Sequence, residues 1–178
     1  MKRIIAILIT LTMALCLFSC DSESGSNGGV TYKGELNGAK TTLVVKGNKA
    51  TFSMSEERKF EEAKTTVLQS ATQTGIIESN EDGVITIVFN KAGASATMSM
   101  KFSGSGASEY KKALKEQFKG MQDSAYKEAM LLILEGKTLN MKYGDKFFDE
   151  VGPGEDQVIV VKLDTVNKTF TQTDSGIG

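Results

Sequence analysis

The chain has 178 residues, 40% of them hydrophobic and 24% charged, enough for one domain of ordinary globular composition. Its net charge is −1; it has no histidine, two cysteines (Cys16 and Cys20) and two arginines, Arg3 and Arg58. The missing imidazole excludes Ser-His-Asp and Cys-His nucleophilic machinery and zinc sites built from Cys and His. So few guanidinium groups weigh against nucleic-acid recognition. Carboxylates, Lys, Tyr, Ser and Thr remain for catalysis, and no pair of them stands in a context that marks a catalytic site. The expectation is a non-enzymatic protein without cofactor or metal.

Met1-Lys2-Arg3 opens the chain with two positive charges, and Ile4 to Leu17 is apolar except for Thr10, Thr12 and Cys16. That run is shorter than the about 20 residues a membrane-spanning helix needs, and the polar Asp21-Ser-Glu-Ser follows at once, so it reads as a signal-peptide core. A plain secretory signal would want small residues at both −1 and −3 of its cleavage site, and none lies nearby. A buried Cys in a core helix is contradicted by the polar flank. The run ends Leu17-Phe18-Ser19-Cys20, which resembles the lipobox of bacterial lipoproteins, with Phe18 bulkier than the usual residue at its position. The resemblance implies cleavage between Ser19 and Cys20 and a lipid on the Cys20 thiol. Two or three acyl chains, at about 0.8 kcal/mol per buried methylene, make a stable anchor. Of the 21 basic side chains Lys2 and Arg3 would leave with residues 1–19, so 19 remain against 22 acidic ones, a net charge of about −3.

Four stretches follow from this division: the signal peptide (1–19), the lipidated Cys and its tether (20–29), one β-rich domain (30–170) and a frayed terminus (171–178). The tether Asp21 to Gly29 has no apolar residue; nine residues reach at most about 30 Å.

From Val30 the chain alternates apolar and polar residues between tight turns. Asn37-Gly38, Gly47-Asn48, Ala92-Gly93 and Gly136-Lys137 each fit a two-residue hairpin, and Asp82-Gly83 is a strong turn dipeptide. Residues flanking such a turn pair and share a face. Across the first two turns this pairs Leu36 with Ala39, Tyr32 with Leu43, Val45 with Ala50 and Leu43 with Phe52. One apolar face then runs through Tyr32, Leu36, Leu43, Val45, Ala50, Phe52 and Met54. About Ala92-Gly93 the same rule pairs Phe89 with Ala96, Ile87 with Met98 and Ile85 with Met100. About Gly136-Lys137 it pairs Leu134 with Leu139, Leu132 with Met141 and Met130 with Tyr143. An antiparallel meander is expected.

Ser108 to Met121 places Tyr110, Ala113, Leu114, Phe118 and Met121 at helical spacing, with Ser108 as N-cap, Glu109 in the first turn and Lys119 in the last. Ser55 to about Lys64 reads as a second, shorter helix. Gln157 to Leu163 is apolar on both faces, as in a strand covered from outside, with the Tyr110 helix as the expected cover.

Three surfaces are candidate sites. The acidic loop Gly144 to Asp156 carries Asp145, Asp149, Glu150, Glu155 and Asp156, but Phe147, Phe148 and Val151 interrupt any calcium-loop spacing, so a solvated loop is expected. Met54, Met98, Met100 and Met141 fall on the inferred inward face; adaptable core filling is favoured over a ligand lining. Lys111, Lys112, Lys115 and Lys119 form a basic helix face that could meet anionic headgroups or simply be solvated, with Lys112 and Glu116 as an i,i+4 pair.

The phrases Gly34-Glu-Leu-Asn-Gly, Gly47-Asn-Lys-Ala-Thr-Phe and Leu134-Glu-Gly-Lys-Thr-Leu-Asn-Met resemble the strand–turn–strand phrasing of lipocalin-like (calycin-like) barrel lipoproteins. The fold this implies is mainly β: an antiparallel barrel of eight or nine strands with one late helix at about 108–121. The expected function is that of a lipid-anchored cell-envelope protein, on the outer membrane or the periplasmic face of the inner one. Its β domain would bind a small apolar molecule or an envelope protein. A structural or adhesion role through an exposed sheet face or edge is the alternative.

Overall fold

The computed structural model of the protein describes residues 28–36, 39–152 and 157–173. Nine strands and three helices follow in the order β1 (Val30–Leu36), β2 (Ala39–Lys46), β3 (Lys49–Phe60), β4 (Thr65–Glu81), β5 (Val84–Val88), β6 (Ser95–Ser103), α1 (Ala107–Lys119), α2 (Ala125–Leu134), β7 (Leu139–Lys142), α3 (Lys146–Val151), β8 (Val158–Asp164) and β9 (Thr169–Gln172). The protein is mainly β. All nine strands belong to one mixed sheet in the order β3-β2-β1-β9-β8-β5-β4-β6-β7, and β3 also pairs with β4. Seven strands therefore form a hydrogen-bonded ring, and β6 and β7 extend from it along β4.

Local turn chemistry accounts for the first three strands. Val45 pairs with Ala50 and Leu43 with Phe52, as the Gly47-Asn48 turn predicts. Leu36 pairs with Ala39 and Tyr32 with Leu43. Gly47 alone takes a positive φ there (58°), at the first central position where a type II′ turn wants glycine. At the β4–β5 hairpin Asp82 (φ 50°) and Gly83 (φ 79°) are both left-handed, the pattern of a type I′ turn.

Elsewhere long-range pairing overrides the local pattern. β5 and β6 do not form a hairpin about Ala92-Gly93. They lie one after the other along the same edge of the 17-residue β4, β5 against Ile76–Glu81 and β6 against Thr66–Thr74. Residues Ser55 to Phe60, expected as a helix, continue β3, because β4 is long enough to pair each of them through Phe60↔Thr65. The wholly antiparallel meander is also modified, since β1 and β9 run parallel over Lys33–Glu35. Thr171 and Gln172, placed in a frayed terminus, pair with Lys162 and Val161 in β9.

The expected late helix is present as α1, but its N-cap is Gly106 rather than Ser108. Two further helices join it. Met130 to Leu134, expected as a strand, lies in α2, which Ser124 caps by accepting the Lys127 N–H at 3.1 Å. Gly136, expected as a hairpin glycine, instead ends α2. At φ 84° it donates to the Ile133 carbonyl while Lys137 donates to Leu132, the bond pair of a Schellman motif. A left-handed glycine serves a hairpin and a helix terminus equally well, and only packing decides between them.

One apolar sheet face supplies both cores. Inside the ring, Leu43, Phe52, Ile85, Ile87, Phe89 and Val161 are fully buried, and the Phe52 ring lies 6.3 Å from Phe89 and 6.0 Å from Phe170. Where β4, β6 and β7 leave the ring the same face is covered by the helices. Val67, Met98, Met100, Leu139 and Met141 pack there on Leu114 and Phe118 of α1, Ala129, Met130, Ile133 and Leu134 of α2, and Phe148 of α3. Full burial of side chains of this size contributes roughly 1.5–3 kcal/mol each. The α1 residue Tyr110 lies over Phe60 (5.1 Å) and Phe102 (6.5 Å). It does not cover β8, whose Val158 stays 43% exposed.

Candidate functional site

The sheet face opposite these cores is rich in hydroxyls. Register places Thr42, Ser53, Thr72 and Thr97 side by side across β2, β3, β4 and β6, with Asn140 of β7 completing the row. A second row holds Val44, Thr51, Thr74, Ser95 and Lys142; a third holds Ser55, Ser70 and Ser99. Alternation forces this: Phe52, Ala71 and Met98 point to the core, so their chain neighbours point away. β-Branched Thr also suits a pleated, half-buried surface. Neighbouring hydroxyls bond to each other, Thr51 to Thr74 at 2.8 Å and Thr72 to Thr97 at 2.7 Å. The result is a half-buried patch of paired donors and acceptors, with charges of both signs (Lys33, Glu35, Lys40, Glu57, Lys101, Lys142) toward its margins.

An open cleft of about 440 Å³ lies at the start of α1, lined by Glu62, Ala63, Lys64, Ser105, Gly106, Glu109, Tyr110 and Ala113. Its wall is two backbone segments in contact: the Gly106 N–H donates to the Lys64 carbonyl at 3.2 Å, and a Cβ on Gly106 would overlap the Ala63 carbonyl oxygen. Partial burial pushes the Tyr110 phenol above its ordinary pKa, so it stays protonated and can only donate or accept a hydrogen bond at neutral pH. The pattern of glycines at 104 and 106 is visible in the sequence; its partner, the Glu61–Lys64 turn, was hidden by reading Ser55 to Lys64 as helix.

The sites expected from sequence distribute as follows. Ser19 and Cys20 lie outside the described residues, as do Glu155 and Asp156. The four methionines do not line one space: Met98, Met100 and Met141 sit beneath the helices, whereas Met54 packs at the margin of the ring core. Of the helix lysines, Lys119 rather than Lys112 holds Glu116, at 2.8 Å, and its hydrogen bond lowers the Glu116 pKa. Lys111 and Lys115 lie near Glu135, whose pKa is lowered mainly by its bond to Lys137. Six residues of the acidic loop, Lys146–Val151, form the short helix α3, with Asp145 at its N-cap and its carboxylate accepting the Lys142 N–H at 3.1 Å.

Among the described residues, no group of three or more Cys, Asp or Glu is gathered for a metal ion, and no buried side-chain nitrogen or oxygen lacks a partner. No helix among them is long and apolar enough to cross a membrane. Compared with protein-family models, curated proteins and solved structures, the chain matches none.

Proposed function

We propose that this is a lipid-anchored lipoprotein of the bacterial cell envelope that binds another macromolecule through the hydroxyl-rich sheet face, without catalysing a reaction. The observation that carries the binding half is the uncovered, in-register array Thr42–Ser53–Thr72–Thr97 and its neighbouring rows. The helices take the opposite face and leave this one open. The anchoring half rests on Leu17-Phe18-Ser19-Cys20 and the polar stretch after it. We read the seven-stranded ring as a closed barrel of lipocalin-like character. Its centre is occupied by Phe52, Phe89 and Phe170, which favours a surface partner over an apolar ligand held inside.

A photo-crosslinking residue placed at Thr72 or Thr97 in intact cells is expected to yield a discrete adduct, and the same residue at the exposed Lys112 of α1 is not. Equal or absent labelling at the two places would remove the binding half. Labelled fatty acid fed to cells is expected to be incorporated into the chain, and the label to be lost on Cys20→Ala; an unlabelled chain would remove the anchoring half.

A further inference from the structure

At one end of the ring several segments converge. Val30 begins β1 opposite Val45, beside the Lys46–Lys49 turn, and Gly29 lies against Val44 and Lys46. The β8–β9 turn reaches the same level, because the Lys33 N–H donates to the Lys168 carbonyl at 2.9 Å. The β4–β5 turn stands next to it, tied by the Leu163 N–H to the Gly83 carbonyl at 2.7 Å. The tip of the β8–β9 turn is Val166, 86% exposed, and Val30 is 43% exposed. Turn tips favour Gly, Asn, Asp or Ser, so a projecting valine has no local reason to be there. The turn is nonetheless held firmly. The Asp164 carboxylate accepts the Val166 N–H at 3.0 Å, the Asn167 N–H at 2.8 Å and the Asn167 side-chain amide at 2.7 Å. Lys46 precedes the β2–β3 turn at this end, and Lys168 ends the β8–β9 turn with its ammonium 5.8 Å from the Tyr32 ring, while Glu81 and Asp82 lie on the adjacent turn.

We infer that this end of the ring seats on the headgroup layer of a bilayer, with Val166 and Val30 at the apolar boundary and Lys46 and Lys168 on anionic headgroups. The inference rests on the anchored reading above. Residues 21–29 reach at most about 30 Å and join the fold at this end, so a lipid on Cys20 would keep these turns near the membrane. Weak interfacial contacts of this kind become effective once a tether supplies high local concentration.

The test places a single thiol, carrying an environment-sensitive dye, at Val166→Cys or, for comparison, at Lys137→Cys in the helix layer. The lipidated protein is reconstituted in vesicles containing phosphatidylglycerol, and an unlipidated Cys20→Ser chain made without residues 1–19, and so without Cys16, is mixed with the same vesicles. The dye at 166 is expected to shift to the blue and to be quenched several-fold less by an aqueous quencher than the dye at 137. Adding Lys46→Glu and Lys168→Glu is expected to reduce that protection. Equal quenching at the two positions in both samples overturns the inference, whatever becomes of the anchor. Failure of the full chain to take up labelled fatty acid at Cys20 overturns the anchor alone, because the Cys20→Ser sample still decides the seating.

Discussion

The two cores share one sheet face yet are built differently. The ring core is closed by strands alone and centred on aromatic and β-branched side chains; Phe52 touches Phe89 on one side and Phe170 on the other. The second core needs three helices to cover it and draws on Met98, Met100, Met130 and Met141. Strand register defines the first almost completely, so a defect there disturbs several strands at once. The second depends on caps and on two backbones touching, and unbranched methionines let it adapt. A rigid ring beside a more adaptable layer is the contrast to test.

The largest expected effect is Phe52→Ala, which empties the middle of the ring; a loss of roughly 3–5 kcal/mol in denaturant unfolding is expected. A loss no larger than that of a peripheral substitution would mean the ring is not the rigid half. Next comes Gly106→Ala. At an N-cap Ala already ranks below Gly, and here its Cβ also collides with the Ala63 carbonyl, so a loss of about 1–3 kcal/mol is expected. Unchanged stability would show that the Glu61–Lys64 turn moves freely. Ser124→Ala removes the α2 cap, at a cost of about 1 kcal/mol. Amide exchange should then quicken in α2 while β1–β3 stay protected; uniform quickening would erase the distinction between the halves.

The smallest effect concerns pH. The Asn167 and Val166 N–H groups hold the Asp164 pKa below the ordinary aspartate value. A depressed carboxyl stabilises the fold above its unfolded pKa, about 3.9, and that contribution is lost as pH falls through the lower folded value. Protection of the Val166 and Asn167 amides should therefore persist at pH 5 and fade well below pH 4. Asp164→Ala should abolish the difference.

Much of the ring was legible in advance. Tyr32, Leu36, Leu43, Val45, Ala50, Phe52 and Met54 were expected on one face, and all seven meet in the ring core. The hydroxyl face is the same alternation read from its other side. Met130 to Leu134 was not legible as helix, because a short apolar run flanked by Gly136 has no periodicity that separates strand from helix. Ser124 at one end and Gly136 at the other were the signals that bracketed it.

What the sequence alone determined is the alphabet of this protein: no imidazole, turns at Gly47-Asn48 and Asp82-Gly83, and strands with one apolar side. Those features are local, set by φ preferences and period-2 alternation within a few residues. Only the tertiary structure decided that β1 closes on β9, that β5 and β6 share one edge of β4, and that Ser55 to Phe60 is strand. Each is a choice of distant partner, and the apolar pattern that makes a strand sticky does not say which strand it will meet.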